Sequence, residues 1–155
     1  MQIMHCVQYT WFNDMVFKIE WNLDEAEELA QESLLGDIRL RDKEHFIEER
    51  SVYLDSWFYA LIKAAKDFVY TKNEEVRIEI PEESLPLVIH FEPNGRVATS
   101  FRGRSVSAES QSEFISELLE ASGSFLEKIR VVKDIDQNAS VNLIRDHREL
   151  LHSRR

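Results

Sequence analysis

The sequence predicts an α+β domain in which a mainly antiparallel sheet, a meander plus N-terminal strands, packs against two long helices, with a short helix at the C-terminal end. Three observations carry this. Apolar residues alternate at every second position in several short runs, they recur at three- and four-residue steps in two longer ones, and an Asn-Gly step marks a hairpin. With 155 residues, 43% of them hydrophobic and 10% aromatic, the chain can close one core without disulfides or metal, and residues 1–155 read as a single domain.

In chain order, Cys6 to Phe12 is rich in β-formers, but the clean alternation starts at Met15, so residues 1–14 read equally well as an N-terminal extension. From Met15 to Trp21, the side chains of Met15, Phe17, Ile19 and Trp21 share one side and Val16, Lys18 and Glu20 the other, the pattern of a half-buried strand. Leu23 to Ser33 combines strong helix formers with a thin apolar stripe at Leu23, Ala26 and Ala30, predicting a short exposed helix. Leu34, Gly36, Ile38 and Leu40 alternate as in an edge strand, and Asp42-Lys43 turns the chain back into His45 to Glu49.

From Ser51 to Tyr70 the positions Leu54, Trp57, Phe58, Leu61, Ala64, Ala65 and Phe68 define the buried face of a first core helix. Val76, Ile78 and Ile80, then Leu87, Ile89 and Phe91, then Val97, Thr99 and Phe101 form three alternating runs. Pro81 ends the first run, and Pro93-Asn94-Gly95 turns the second into the third because Asn and Gly tolerate positive φ at low cost. A three-stranded meander is expected. Ser110 and Glu113 have capping-box spacing ahead of Phe114, Leu118, Phe125 and Ile129, which places a second long helix over Ser110 to Val132, with Gly123 as a possible kink. Residues 134–155 are expected to form a loosely packed amphipathic helix with Ile144, His147 and Leu151 on one side.

Charge is two-ended. The formal net charge is −10, yet residues 128–155 carry seven Lys/Arg against four Asp/Glu, so residues 1–127 stand at −13. Residues 13–37 hold eight carboxylates against one base, Lys18, a net of −7. Such a surface repels nucleic-acid phosphate and attracts basic proteins. The apolar stretches fall short of the roughly 20 residues a bilayer span needs, and the N-terminal residues lack the pattern of a secretory leader, so a cytoplasmic protein without a membrane partner is expected.

No recognisable catalytic or metal-binding motif emerges, and no cofactor is expected. Cys6 has no second thiol, the four glycines are too dispersed for a phosphate-cradling loop, and no two of the five histidines stand at helical i, i+4 spacing. Asp55 reads as a carboxylate favoured by a helix N-terminus and His90 as a strand residue, each more readily than as a catalytic group. Arg96, Arg102 and Arg104 cluster around a hairpin exit as a candidate anion site, although neighbouring carboxylates favour plain solvated surface. Trp21 reads as core. Trp11 and Phe12 are the better candidates for exposed aromatics, and beside Asp24, Glu25, Glu27, Glu28 and Glu32 they make up a candidate partner-binding surface.

A small acidic α+β domain with this clustered negative segment resembles the immunity proteins that bacteria keep beside polymorphic or contact-dependent toxins. The resemblance is one of overall character, carried by the Met15–Trp21 strand, the Asp24–Glu32 segment and the Ser51–Tyr70 helix. It implies a non-enzymatic, stoichiometric inhibitor whose carboxylates occupy the basic site of a toxin, with association driven by charge complementarity. The alternatives are a homo-oligomeric structural or regulatory module, paired through the hairpin edge or the basic C-terminal helix, and a small enzyme using Asp55 or His90.

Overall fold

The computed structural model describes residues 17–24, 34–130 and 137–153, and the alternating runs form two antiparallel sheets rather than one. The first contains β1 (Lys18–Leu23), β2 (Leu35–Arg41) and β3 (Phe46–Tyr53), in the order β1-β2-β3. Phe17 and Ile19, and Leu34, Ile38 and Leu40, point inward as a period of two requires, and on β3 an irregularity in the pairing opposite Gly36–Ile38 lets Ile47 and Val52, five residues apart, both face the core. The strand over Leu34 to Leu40, expected at an edge, is the central one, because β1 pairs with its other side. Leu23, expected in a helix, is the last residue of β1 and pairs with Gly36; the rest of that expected helix, residues 25–33, lies outside the described residues. Gly36 is dictated by crowding. A Cβ there would lie 2.2 Å from the Asn22 carbonyl oxygen and 2.7 Å from Leu54 Cδ1.

The first core helix, α1, spans Leu54–Thr71. It starts three residues later than its apolar periodicity predicts because Val52 and Tyr53 still pair with β2, and the chain swings into the helix after Ser51 at φ 53. It ends where Lys72 takes the left-handed conformation and donates its N–H to the Phe68 carbonyl, 2.8 Å away. Buried positions run well beyond a single stripe: Leu54, Trp57, Phe58, Ala60, Leu61, Ile62, Ala64, Ala65 and Phe68. A helix of that kind needs partners on several sides.

The second sheet is a four-stranded meander of β4 (Glu75–Glu79), β5 (Pro86–Phe91), β6 (Val97–Phe101) and β7 (Arg104–Ala108). The fourth strand is the departure from the expected three. It forms because Arg102 and Gly103 take φ of 52° and 78° between the paired residues Phe101 and Arg104, the two-residue geometry whose twist suits a hairpin. At Pro93-Asn94-Gly95 only Gly95 has positive φ, and the loop is longer, closed by the Glu92 N–H on the Arg96 carbonyl at 2.9 Å.

Helix α2 spans Gln111–Arg130, and Ser110 caps it as its spacing predicts, Oγ accepting the Glu113 N–H at 3.0 Å. The Glu113 carboxylate takes on a tertiary role. It accepts the Phe17 N–H at 3.3 Å, and Glu117, one turn on, accepts the Ile19 N–H at 2.8 Å. Four helical residues rise about 6 Å and two residues of extended chain about 6.7 Å, so a pair of carboxylates on α2 matches the N–H groups of Phe17, just before β1, and Ile19 within it. Gly123 sits within one continuous helix.

The C-terminal helix, α3, is neither short nor loose: it runs Gln137–Ser153 and docks on α1 through buried Leu143 and Leu150. Asp146, 4% exposed, receives Lys66 Nζ from α1 at 2.9 Å, and Lys66 also contacts Glu149. Both sheets and all three helices share one buried cluster, and no helix among the described residues is long and apolar enough to cross a membrane. Leu61 is fully buried on α1. Leu61→Ala is therefore expected to lower the unfolding free energy by about 2–5 kcal/mol in urea denaturation; a loss below about 0.5 kcal/mol would show that α1 is not the core of the fold.

Candidate protein-binding site

The edge strands β3 and β7 lie side by side in opposite directions, yet belong to separate sheets and share no hydrogen-bonded ladder. Side chains pin the two edges at both ends. Near the β2–β3 turn, Asp42 Oδ2 accepts the Ser107 N–H at 2.8 Å, and at the far end Arg102 reaches back to Glu49 at 3.4 Å. A cleft of about 810 Å³ opens along this seam, lined by Asp42 to Phe46 on one side and by Arg96, Gly103, Arg104, Ser105, Ser107 and Glu109 on the other.

The backbone facing the cleft follows from register. In the two-residue β6–β7 hairpin the flanking pair, Phe101 and Arg104, is the bonded one, so Val106 and Ala108 turn their polar groups toward β6 while Ser105 and Ser107 turn theirs outward. The Ser107 bond to Asp42 fits this phase. On the other side the Asp42 N–H donates to the His45 carbonyl at 2.9 Å, and the same alternation turns Phe46 and Glu48 outward from β3. Backbone donors and acceptors of two strands thus border one cleft.

Asp42 is the keystone of the β2–β3 turn. Its Oδ1 accepts the Glu44 and His45 N–H groups at 2.8 and 2.7 Å, while Oδ2 holds Ser107. Burial pushes its carboxyl upward, but the three backbone N–H groups and nearby His45 outweigh burial and hold it below the ordinary carboxylate value. Beside the turn, Phe46 is 44% exposed, with the Arg39 guanidinium 4.6 Å and the Arg104 guanidinium 5.9 Å from its ring centre. Lys43 and Arg96 add further cationic groups, His45 adds an imidazole, and Glu44 and Glu109 add carboxylates. This arrangement can pair with an extended backbone, hold carboxylates on arginine and pack apolar side chains on Phe46.

Of the three arginines expected around the hairpin exit, Arg96 and Arg104 line the cleft, whereas Arg102 turns away to Glu49 and to Glu83 at 3.1 Å. Burial raises the Glu49 carboxyl despite Arg102 beside it. Asp24 lies at the opposite end of the first sheet, half-buried, its N–H donated to the Leu35 carbonyl at 2.9 Å. Trp11, Phe12, Glu25, Glu27, Glu28 and Glu32 lie outside the described residues. Asp55 stands in the first turn of α1, where burial raises its carboxyl although its own and the Ser56 backbone N–H groups favour the charged form. His90 is half-buried on β5, opposite Glu75 and Ala98. Among the described residues no three His, Cys, Asp or Glu side chains group so as to hold a metal ion. Phe46 and Asp42 had no periodic signal beyond a turn and an alternation; only the pairing of distant segments makes a site of them.

No protein-family model, curated protein or solved structure matches this chain. The turn itself is open to test. Because the folded Asp42 carboxyl is depressed, its stabilisation is complete above the unfolded carboxylate pKa of about 3.9 and is lost as pH falls through the lower folded value. Asp42→Ala is expected to cost about 1–3 kcal/mol at pH 7, with the difference from the parent protein shrinking in acid. Denaturation curves at pH 7 and pH 3 read this, and a pH-independent difference would contradict it.

Proposed function

We propose that this chain is a non-catalytic protein-binding domain, acting in the cytoplasm as an immunity-type inhibitor, and that a segment of its partner seats in the cleft between β3 and β7. The observation that carries this reading is the cleft itself: outward backbone groups of two edge strands meet beside an exposed Phe46 and the Arg96 and Arg104 guanidinium groups. Edge strands that stay open are recognition surfaces for other chains. An aromatic ring flanked by arginines is the kind of anchor that dominates interface energetics.

The acidic segment supports a complementary contact with a basic surface of the partner. Residues 13–37 carry a net of −7, and opposite charges across an interface act mainly on the rate of association. A bound partner would then meet two patches, one capturing its carboxylates and apolar side chains at the cleft, the other steering its basic face.

Charge reversal in the complex with the cognate partner separates the two patches. Arg96→Glu with Arg104→Glu is expected to weaken the complex by about tenfold or more, chiefly through faster dissociation, and to leave the unfolding midpoint within a few degrees because both side chains are exposed. Reversing Glu25, Glu27, Glu28 and Glu32 to lysine is expected to slow association and abolish its salt dependence. A complex indifferent to both sets of substitutions would refute the proposal.

A further inference from the structure

Ser122 is fully buried in α2, and its hydroxyl donates to the Leu118 carbonyl one turn back, at 2.7 Å. With that proton engaged, the 2.9 Å contact between Ser122 Oγ and His147 Nδ1 on α3 must carry a proton on Nδ1, donated to the serine oxygen. A neutral imidazole protonated at Nδ1 keeps its lone pair on Nε2. Burial lowers the proton affinity of His147, which keeps the ring neutral near pH 7. No described residue donates to Nε2.

That edge of the ring faces Gly123. A Cβ at Gly123 would lie 3.5 Å from His147 Cε1 and 3.8 Å from Nε2, ordinary contact distances, and the residue does not take positive φ. Neither crowding nor backbone conformation therefore demands a glycine, a residue that weakens a helix interior. What it leaves is open space over the imidazole edge. The space belongs to a groove of about 340 Å³ with aliphatic walls at Leu126 and Ile129 of α2 and Ile144 and Leu151 of α3, the last two 36% and 43% exposed; Glu127, Arg130 and Arg148 also line it. A trough of this size with mainly aliphatic walls, charged side chains at Glu127, Arg130 and Arg148, and one oriented imidazole nitrogen beside Gly123 has the makeup of a small-molecule site.

We propose that the α2–α3 groove binds a small apolar molecule carrying one hydrogen-bond donor, which it gives to His147 Nε2. The groove shares no residue with the seam cleft. The donor requirement follows from the fixed tautomer, and the apolar requirement from the four aliphatic walls.

Indole and 1-methylindole, alike in shape but differing in the N–H donor, are the probes. The full-length isotope-labelled protein is titrated with each, reading backbone amides and the His147 ring nitrogens by NMR. Expected are saturable shifts confined to Ser122–Arg130 and Ile144–Leu151, a shift of the Nε2 resonance on binding indole, and about tenfold weaker binding of 1-methylindole. Gly123→Ala, which fills the space while favouring the helix, is expected to fold with an undiminished unfolding midpoint and to bind indole about tenfold less well or not at all. Equal binding of the two probes, shifts elsewhere in the molecule, or an unchanged affinity in a folded Gly123→Ala variant would each overturn the proposal.

Discussion

Burial of α1 from several directions is the constraint on which the rest of the structure depends. Trp57 and Phe58 are consecutive, hence about 100° apart around the helix axis. Trp57 meets Phe101 of the second sheet, ring centres 4.8 Å apart, whereas Phe58 meets Trp21 of the first at 6.5 Å. One flat sheet cannot face both directions. The strands therefore divide into two sheets, and the edges that part company, β3 and β7, leave the seam between them. Farther along the helix on the face of Trp57, Phe68 stacks on Phe91; Phe58 also packs on Phe125 of α2, and on the far side Lys66 reaches Asp146 of α3. The cleft is thus a by-product of how the core is enclosed.

Dividing a sheet creates edges, and this acidic chain closes several of them with carboxylates. Glu113 and Glu117 take the outward N–H groups of Phe17 and Ile19, and Asp42 takes that of Ser107; inside the β2–β3 ladder, at its bulge, Asp37 likewise takes the N–H of Ser51 at 3.0 Å. A side-chain carboxylate satisfies an edge donor without offering a new edge to a neighbouring chain, which discourages indiscriminate pairing. Part of the negative charge that marks the sequence is therefore structural, local and already occupied. Ser105, beside Arg104, has no such carboxylate among the described residues, and it borders the cleft proposed to receive a partner.

Periodicity made most elements legible before any coordinates: the strand through Phe17, Ile19 and Trp21, the helix through Trp57, Leu61 and Phe68, and the meander from Val76 to Phe101 all have their inward residues where alternation puts them. β7 escaped because Arg104-Ser105-Val106-Ser107-Ala108 holds a single strong β-former and follows an Arg-Gly turn rather than Asn-Gly. The end of β3 escaped because Val52, Tyr53 and Leu54 also continue the apolar pattern of α1. Strand order is not local, so the central place of β2 could not be read from its own residues. The site was least legible of all: Asp42 and Ser107 lie 65 residues apart, Lys66 and Asp146 80, and Ser122 and His147 25, separations over which residue patterns carry no pairing information.

The central claim is that the seam between the sheets is an open edge held only at its ends. Residue-resolved amide hydrogen exchange of the free protein tests it most directly. Thr99 and Val106 are a bonded pair between β6 and β7, and Phe58 to Ala65 lie within α1, so their amides should exchange slowly. The Ser105 and Phe46 amides should exchange fast, and Ser107, held by Asp42, at an intermediate rate that rises in Asp42→Ala. Protection of Ser105 and Phe46 as strong as that of Val106 would mean that the edges are closed, and the account of this molecule as a binding domain built around an open seam would fail.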